Sequence, residues 1–201
     1  MYDDDILRKV HGLIGNGKVF IDAGANRGFY TKYFIDTMRA SKVHAFEIIP
    51  TIFANLKENL SGYDNVVLYP IGLSAREAEV NLIGMIPNTV GAFWFWYTEE
   101  QTHTPKQMGY PKHQHDQEIP DMVLPTKPLD SFGIEDKISF MKIDVEGMEM
   151  EVLGGAKNLI ERDHPILFVE VCKKNDRLFR RWCRENKYVE IGRNGPCLLV
   201  I

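Results

Sequence analysis

The 201-residue chain has only three cysteines, Cys172, Cys183 and Cys197, and no two of them stand in a C-x-x-C spacing. An odd, unspaced set argues against a disulfide framework and against a zinc site, so the thiols read as reduced and the expected compartment is cytoplasmic. Long hydrophobic runs are missing too. No window approaches the about 18 uninterrupted apolar residues of a membrane span. Charge of one sign is not in excess either: a formal net charge of -4 gives no electrostatic case for nucleic acid as the main partner. The acidic start Met1-Tyr2-Asp3-Asp4-Asp5 precedes no apolar stretch and reads as no signal peptide, while being compatible with a domain cut from a longer polypeptide. A G-x-G-x-x-G dinucleotide fingerprint is also lacking. Begun at Gly24 it would need glycines at 26 and 29, where the chain has Asn26 and Phe29.

What is present fits one α/β domain over residues 1–201. Hydrophobic residues at 44% and charged residues at 26% are ordinary for a globular chain of this length. The apolar run Val19-Phe20-Ile21 ends on Asp22, passes through the loop Ala23-Gly24-Ala25-Asn26-Arg27-Gly28, and enters a helical pattern at Phe29-Tyr30-Thr31. A strand, a glycine-containing turn and a helix N-terminus form the ligand-receiving opening of nucleotide-binding sheets. A carboxylate at the strand end suits an amino-bearing or cationic ligand better than a phosphate. The loop therefore argues for S-adenosylmethionine (SAM) over NAD.

Strand and helix patterns alternate along most of the chain. Strands are expected at 18–22, 42–47, 65–69 and 79–83, with helices at 29–39 and from Pro50 through Leu60. After an interruption, strands are expected at 138–144 and 165–170, helices at 148–162 and 174–186, and a closing hairpin at 188–191 and 197–201 around Arg193-Asn194-Gly195-Pro196. The pattern predicts a doubly wound, mostly parallel sheet with an antiparallel C-terminal tail. Residues 84–128 break it with six of the ten prolines, three of the six histidines and the run Phe93-Trp94-Phe95-Trp96-Tyr97. Residues 84–122 read as a substrate-side insertion.

Ligands of such sheets bind beyond the carboxyl ends of the strands, so the acids there are the candidates. Glu47 ends the second expected strand, 25 residues after Asp22, where a carboxylate can accept both ribose hydroxyls. Asp144 and Glu170 end two strands expected to be neighbours; such a pair suits a general base, a divalent cation (Mg²⁺ or Mn²⁺), or both. The plainer alternative makes Asp144 a helix cap and Glu146 a stabiliser of the helix N-terminus. His103, His113 and His115 are the imidazole candidates, with His115 the one expected to share proton transfer with Asp144.

Several of these stretches together resemble the FkbM-type SAM-dependent methyltransferases. The matching blocks are Phe20–Thr31, Ala45-Phe46-Glu47 with Pro50, Ile71-Gly72-Leu73-Ser74, Leu129-Asp130, Met141-Lys142-Ile143-Asp144-Val145-Glu146-Gly147-Met148-Glu149, Leu153-Gly154-Gly155-Ala156 and Glu170. They cover about residues 18–83 and 123–172. The Lys-Ile-Asp-Val-Glu-Gly block is the most specific. The resemblance implies a seven-stranded Rossmann-like class I methyltransferase sheet. It also implies a SAM site built from Asp22, Gly24, Ala25, Asn26, Gly28, Phe29, Tyr30, Thr31, Glu47, Ile48, Gly72, Leu73 and Ser74. Its implied activity is O-methylation of a sugar hydroxyl in a glycan or sugar intermediate, with glycosyltransferases, fused or separate, as companions. A small natural product or a protein as acceptor, and an inactive SAM-fold binding module, are the competing readings.

The aromatic run suits either stacking on a sugar ring or packing beneath the insertion. The helix between Lys173 and Lys187 carries seven basic residues against Asp176 and Glu185, which reads as a solvated face or as a contact for an anionic acceptor such as a nucleotide-sugar.

Overall fold

The computed structural model describes residues 4–86 and 117–201. A seven-stranded sheet runs through it in the order β3-β2-β1-β7-β8-β10-β9. Its strands are β1 (Val19–Ala23), β2 (Lys42–Phe46), β3 (Val66–Tyr69), β7 (Ile138–Ile143), β8 (Ile166–Glu170), β9 (Glu190–Asn194) and β10 (Cys197–Val200). The first five are parallel to one another, and β10 is antiparallel to both β8 and β9. This is the doubly wound sheet with an antiparallel tail that the alternating pattern predicts. Strand order reverses between β1 and β7.

Period-2 alternation sorts the core into two layers. Phe20, Val43, Phe140 and Phe168 face one side, against Ile6, Leu7 and Val10 of α1 (Asp4–Ile14) and Phe34 and Met38 of the α2 (Phe29–Asp36) segment. There Phe20, Phe34 and Phe140 pack edge to face, with ring centroids 5.3–5.6 Å apart. The helix α3 (Pro50–Asn59) adds Leu56 against Ala25 and Ala45. The other face holds Ile21, Met141, Ile143, Leu167 and Val169 against α4 (Glu149–Gly155), α5 (Lys157–Asp163) and α6 (Asp176–Glu185).

Three features differ from the sequence reading. Asp4–Ile14, to which the sequence assigned no element, is a helix: Ile6, Leu7 and Val10 share a face, and Gly15 at φ +69° closes it with its N–H on the His11 carbonyl. The single helix expected over 148–162 is two, broken at Ala156. The Asp130 carboxylate accepts the N–H groups of Asn158 and Leu159 at 2.8 and 2.9 Å and so starts α5 afresh. The ends of the 84–122 segment are strand. β5 (Ala78–Ile86) pairs antiparallel with β6 (Gln117–Lys127), and β4 (Gly72–Leu73) joins β6 in a separate three-stranded sheet. Pro120 and Pro125 hide β6 in the sequence. Among the described residues β4 meets β6 only at Thr126 and Lys127, so neither proline has to donate a hydrogen bond to it.

Among the described residues no helix is long and apolar enough to cross a membrane. The contact that seats α4 on the second sheet is tight: a Cβ on Gly155 would lie 2.0 Å from the Ser74 carbonyl oxygen. Gly12 in α1 has open space instead. Gly155→Ala is therefore expected to lower stability by about 1–3 kcal/mol through overpacking. Gly12→Ala is expected to raise it by roughly 0.5–1 kcal/mol through helix propensity. Urea unfolding of the two variants against the parent measures both signs.

Candidate functional site at the carboxyl ends of β1, β2, β7 and β8

Asp22, Lys142, Asp144 and Glu170 share the α2 side of the sheet by strand parity. Asp22 and Lys142 are direct register partners across β1 and β7, and Asp144 and Glu170 lie one step past the last β7–β8 pair, Ile143 with Val169. The switch point is closed tightly. Gly24 has φ +78°, and a Cβ there would lie 1.9 Å from the Asp144 carbonyl oxygen, so only glycine admits this approach. Backbone bonds hold the loop on both sides. Gly24 and Ala25 donate to the Phe46 carbonyl at 3.0 and 2.9 Å, and Asp144 donates to the Ala23 carbonyl at 3.0 Å.

The loop geometry follows from its residue types. Asn26 sits at φ +52°, a conformation Asn tolerates better than most side chains, and Gly28 at φ +85° precedes the first turn of α2. Glu47 accepts the Asn26 N–H on Oε2 at 2.9 Å and the Ile49 N–H on Oε1 at 2.8 Å, binding this loop to the end of β2. Burial pushes its carboxyl up to about 7, and the two N–H donors offset only part of that. Asp22 is fully buried. Its Oδ2 accepts the Thr31 hydroxyl at 2.6 Å, and its Oδ1 has no hydrogen-bond partner, lying 3.2 Å from the Lys142 ammonium.

Lys142 is a cation inside the sheet. Nζ donates to the Gly24 carbonyl at 2.9 Å, stands 3.3 Å from Asp144 Oδ2, and lies 4.9 Å from the centre of the Tyr30 ring. Burial alone would lower its pKa; the Asp22 and Asp144 carboxylates outweigh that and hold it above the ordinary lysine value. Beside it, Glu170 hydrogen-bonds to Asp144, and burial followed by the Asp144 charge pushes the Glu170 carboxyl up to about 7. Burial and the charges of Asp144, Glu170 and Glu149 push Glu146, at φ +51°, up to about 8.

The turn bearing Glu146 is clamped from α4 and α6. Glu149 accepts the Gly147 N–H at 2.7 Å, and Asn175 Nδ2 donates to the Gly147 carbonyl and to Glu149. The neighbouring Cys172 thiol is pushed up to about 12 by burial and then by the Glu149 charge, which keeps it protonated.

The expected site residues thus divide. Asp22, Gly24, Ala25, Asn26, Gly28, Thr31, Glu47, Asp144 and Glu170 converge on the switch point. Thr31 is committed to Asp22, and Tyr30 packs beneath the Lys142 cation. Phe29 is 53% exposed on the first turn of α2. Gly72, Leu73 and Ser74 instead join the two sheets. Gly72 packs on Ile48 and Thr126, Leu73 is in the core, and the Ser74 hydroxyl turns to the Arg76 carbonyl at 2.5 Å. His103, His113, His115, Trp94, Trp96 and Tyr97 lie outside the described residues. On the basic helix α6, Arg180 is tied to Asp176 and Glu190 at 3.0 and 3.1 Å, while Arg177, Arg181 and Arg184 are exposed.

The metal expected at Asp144 and Glu170 does not fit these residues. Asp144 already faces the Lys142 ammonium, Glu170 is engaged with Asp144, and no group of three His, Cys, Asp or Glu placed to hold a metal occurs among the described residues.

The model of the methyltransferase FkbM domain matches residues 22–189, spanning the strand-end acids just described. The chain belongs to the FkbM methyltransferase family. Within curated proteins it is similar to Methyltransferase 1 of Beauveria bassiana, 30% identical over 143 residues that make up 67% of this chain and 57% of the fungal protein. In structure it is similar to the FkbM methyltransferase of Methylobacillus flagellatus, with a TM-score of 0.63 at 16% identity over 92% of this chain and 44% of that one. It also shares its fold with an rRNA methylase of Streptococcus thermophilus, with a TM-score of 0.54 at 12% identity over 100% of this chain and 96% of that one. The FkbM chain described here therefore spans less than two thirds of the fungal protein and under half of the Methylobacillus chain.

The buried Glu47 makes stability depend on pH. Its folded pKa of about 7 exceeds the ordinary 4.5, so the stability it contributes is fully present below about 4.5 and is lost as pH rises through about 7. Unfolding free energy should accordingly fall between pH 5 and 7.5, by on the order of 3 kcal/mol for this group. Glu47→Gln should flatten that slope. Urea midpoints of both proteins across the range check the sign.

Proposed function

We propose that this domain is a SAM-dependent O-methyltransferase acting on a sugar hydroxyl of a glycan or sugar intermediate. The observation that carries the reading is the approach of Gly24 to Asp144. It brings a ligand-cradling loop and an acid pair together at the one point where strand order reverses.

The residues fit the cofactor. The loop after β1 turns through positive φ at Gly24, Asn26 and Gly28 and leads directly into the N-terminus of α2, the kind of opening that receives a nucleoside ligand. Glu47 retains free lone pairs for ribose hydroxyls after accepting two backbone N–H groups. When bound, SAM supplies an electrophilic methyl carbon on a sulfonium.

The chain's own contribution is alignment and proton removal. Asp144, with 28% of its side chain exposed, is the carboxylate open to an incoming hydroxyl, and its oxygen takes the hydroxyl proton. Glu170 holds a proton near neutral pH and donates it in a hydrogen bond to Asp144, fixing that carboxylate's orientation. Glu146 and Glu170 leave the mouth rich in carboxyl groups, which suits a polyhydroxylated acceptor.

Calorimetry at about pH 8, where Glu47 is ionised, should show SAM binding that Glu47→Ala weakens roughly tenfold or more, the loss of about 1.5–3 kcal/mol of hydrogen bonding to a charged group. Unchanged affinity would remove Glu47 from the cofactor site.

Asp144→Asn keeps the shape and removes the charge, so turnover with a saccharide acceptor should fall roughly 10²–10⁴-fold with SAM affinity little changed. A panel of saccharides, phenols and peptides assigns the acceptor class. Full activity of Asp144→Asn would return Asp144 to a capping role, and activity lost to EDTA and restored by Mg²⁺ would put a metal back at the pair.

A further inference from the structure

We infer that Lys142 is a positioning residue that locks the cofactor loop to the acceptor-side carboxylate across the switch point. The inference rests on the methyl-transfer reading above. A lysine in the middle of the β7 pattern Ile138-Ser139-Phe140-Met141-Lys142-Ile143 is out of place in an interior strand, and burying an ammonium is costly unless it is paired. Here it is 2% exposed and every direction is used. One hydrogen bond goes to the Gly24 carbonyl, the turn that no other residue can form. Two carboxylates flank it, Asp22 at the end of β1 and Asp144 beyond the end of β7. The Tyr30 ring, from the first turn of α2, covers the remaining side at 4.9 Å.

These partners belong to different functions. Gly24, Asp22 and Tyr30 lie on the cofactor loop and its helix, and Asp144 is the carboxylate that meets the acceptor. Among the described residues the Asp144 side chain is met by Lys142 on one side and Glu170 on the other, and these set its orientation. A methyl transfer demands a collinear arrangement of acceptor oxygen, methyl carbon and sulfur, and a misplacement of about 1 Å can cost on the order of 10²-fold. Lys142 is the group that sets the two halves at a fixed distance.

K142M alone strips the buried Asp22 of its counter-charge, so its loss of stability would say little. The informative comparison is D22N with D22N/K142M. The Asn carbonyl oxygen still accepts the Thr31 hydroxyl, and the buried position is neutral in both. The double variant is expected to match the thermal midpoint of D22N within a few degrees and to bind SAM within about threefold of it. Its kcat at saturating SAM should be roughly 10–100-fold lower. D22N/K142R, which restores the cation, should recover part of that loss. Equal kcat in D22N and D22N/K142M would make Lys142 a purely structural counter-ion and overturn the inference.

A measurement on the unaltered protein guards against variants that do not fold. The ε-ammonium nitrogen of a buried lysine is resolved by ¹⁵N NMR, and its resonance should shift on saturation with S-adenosylhomocysteine; no shift under conditions where calorimetry shows binding would equally overturn it. A parent protein that neither binds nor turns over SAM removes the methyl-transfer reading and the role of Lys142 with it. A parent that does both while either test fails removes the role of Lys142 alone.

Discussion

The closeness of β1 to β7 at their carboxyl ends is the constraint on which the rest of the site depends. Gly24 admits the Asp144 carbonyl where any side chain would collide with it. Because those strands meet there, the Asp22 and Asp144 carboxylates fall within reach of one ammonium, and the loop carrying Asn26 hangs from the end of β2 through Glu47. The two apolar layers supply the rigidity this needs. Phe20 and Phe140 anchor the same two strands one and two steps back from the site, each packed on Phe34 of α2.

Charge is distributed unevenly around that point. Lys142 neutralises the acids nearest the Gly24 turn, while burial pushes the Glu146, Glu170 and Glu47 carboxyls up towards neutral pH. A site of this kind carries fewer negative charges than its count of carboxyl groups implies. The carboxyl groups can then crowd together without an array of like charges in low dielectric.

Much of this was legible in the sequence, and the limits have physical reasons. Apolar runs placed the five parallel strands of the main sheet, because strands buried on both faces leave a strong signal, and the Asn194-Gly195 pair placed the closing hairpin, whose first strand lies at Glu190–Asn194 and not at 188–191. The motif blocks placed Asp22, Glu47 and Asp144 at strand ends. Lys142 was visible as a charge in an apolar strand, yet its meaning depends on the Val19–Ala23 and Ile138–Ile143 register, a tertiary fact no local pattern contains. β6 stayed hidden because prolines lower strand expectation regardless of whether the edge they face is paired. Gly72, Leu73 and Ser74 enter as cofactor contacts only through the family resemblance. What fixes them is the approach of Gly155 to the Ser74 carbonyl, between elements eighty residues apart in the chain.

The pairing of Ile86 with Gln117 has an evolutionary consequence. Any chain joining those two positions begins and ends at adjacent points of one antiparallel ladder. Closure of such a segment costs only about 0.6 kcal/mol more for each doubling of its length. The stem therefore works as a socket. Segments of different length and composition can be exchanged there by insertion, deletion or recombination while the seven-stranded sheet, the Gly24 turn and the buried ammonium stay as they are, and diversification of the domain can proceed at that one place without re-solving the fold.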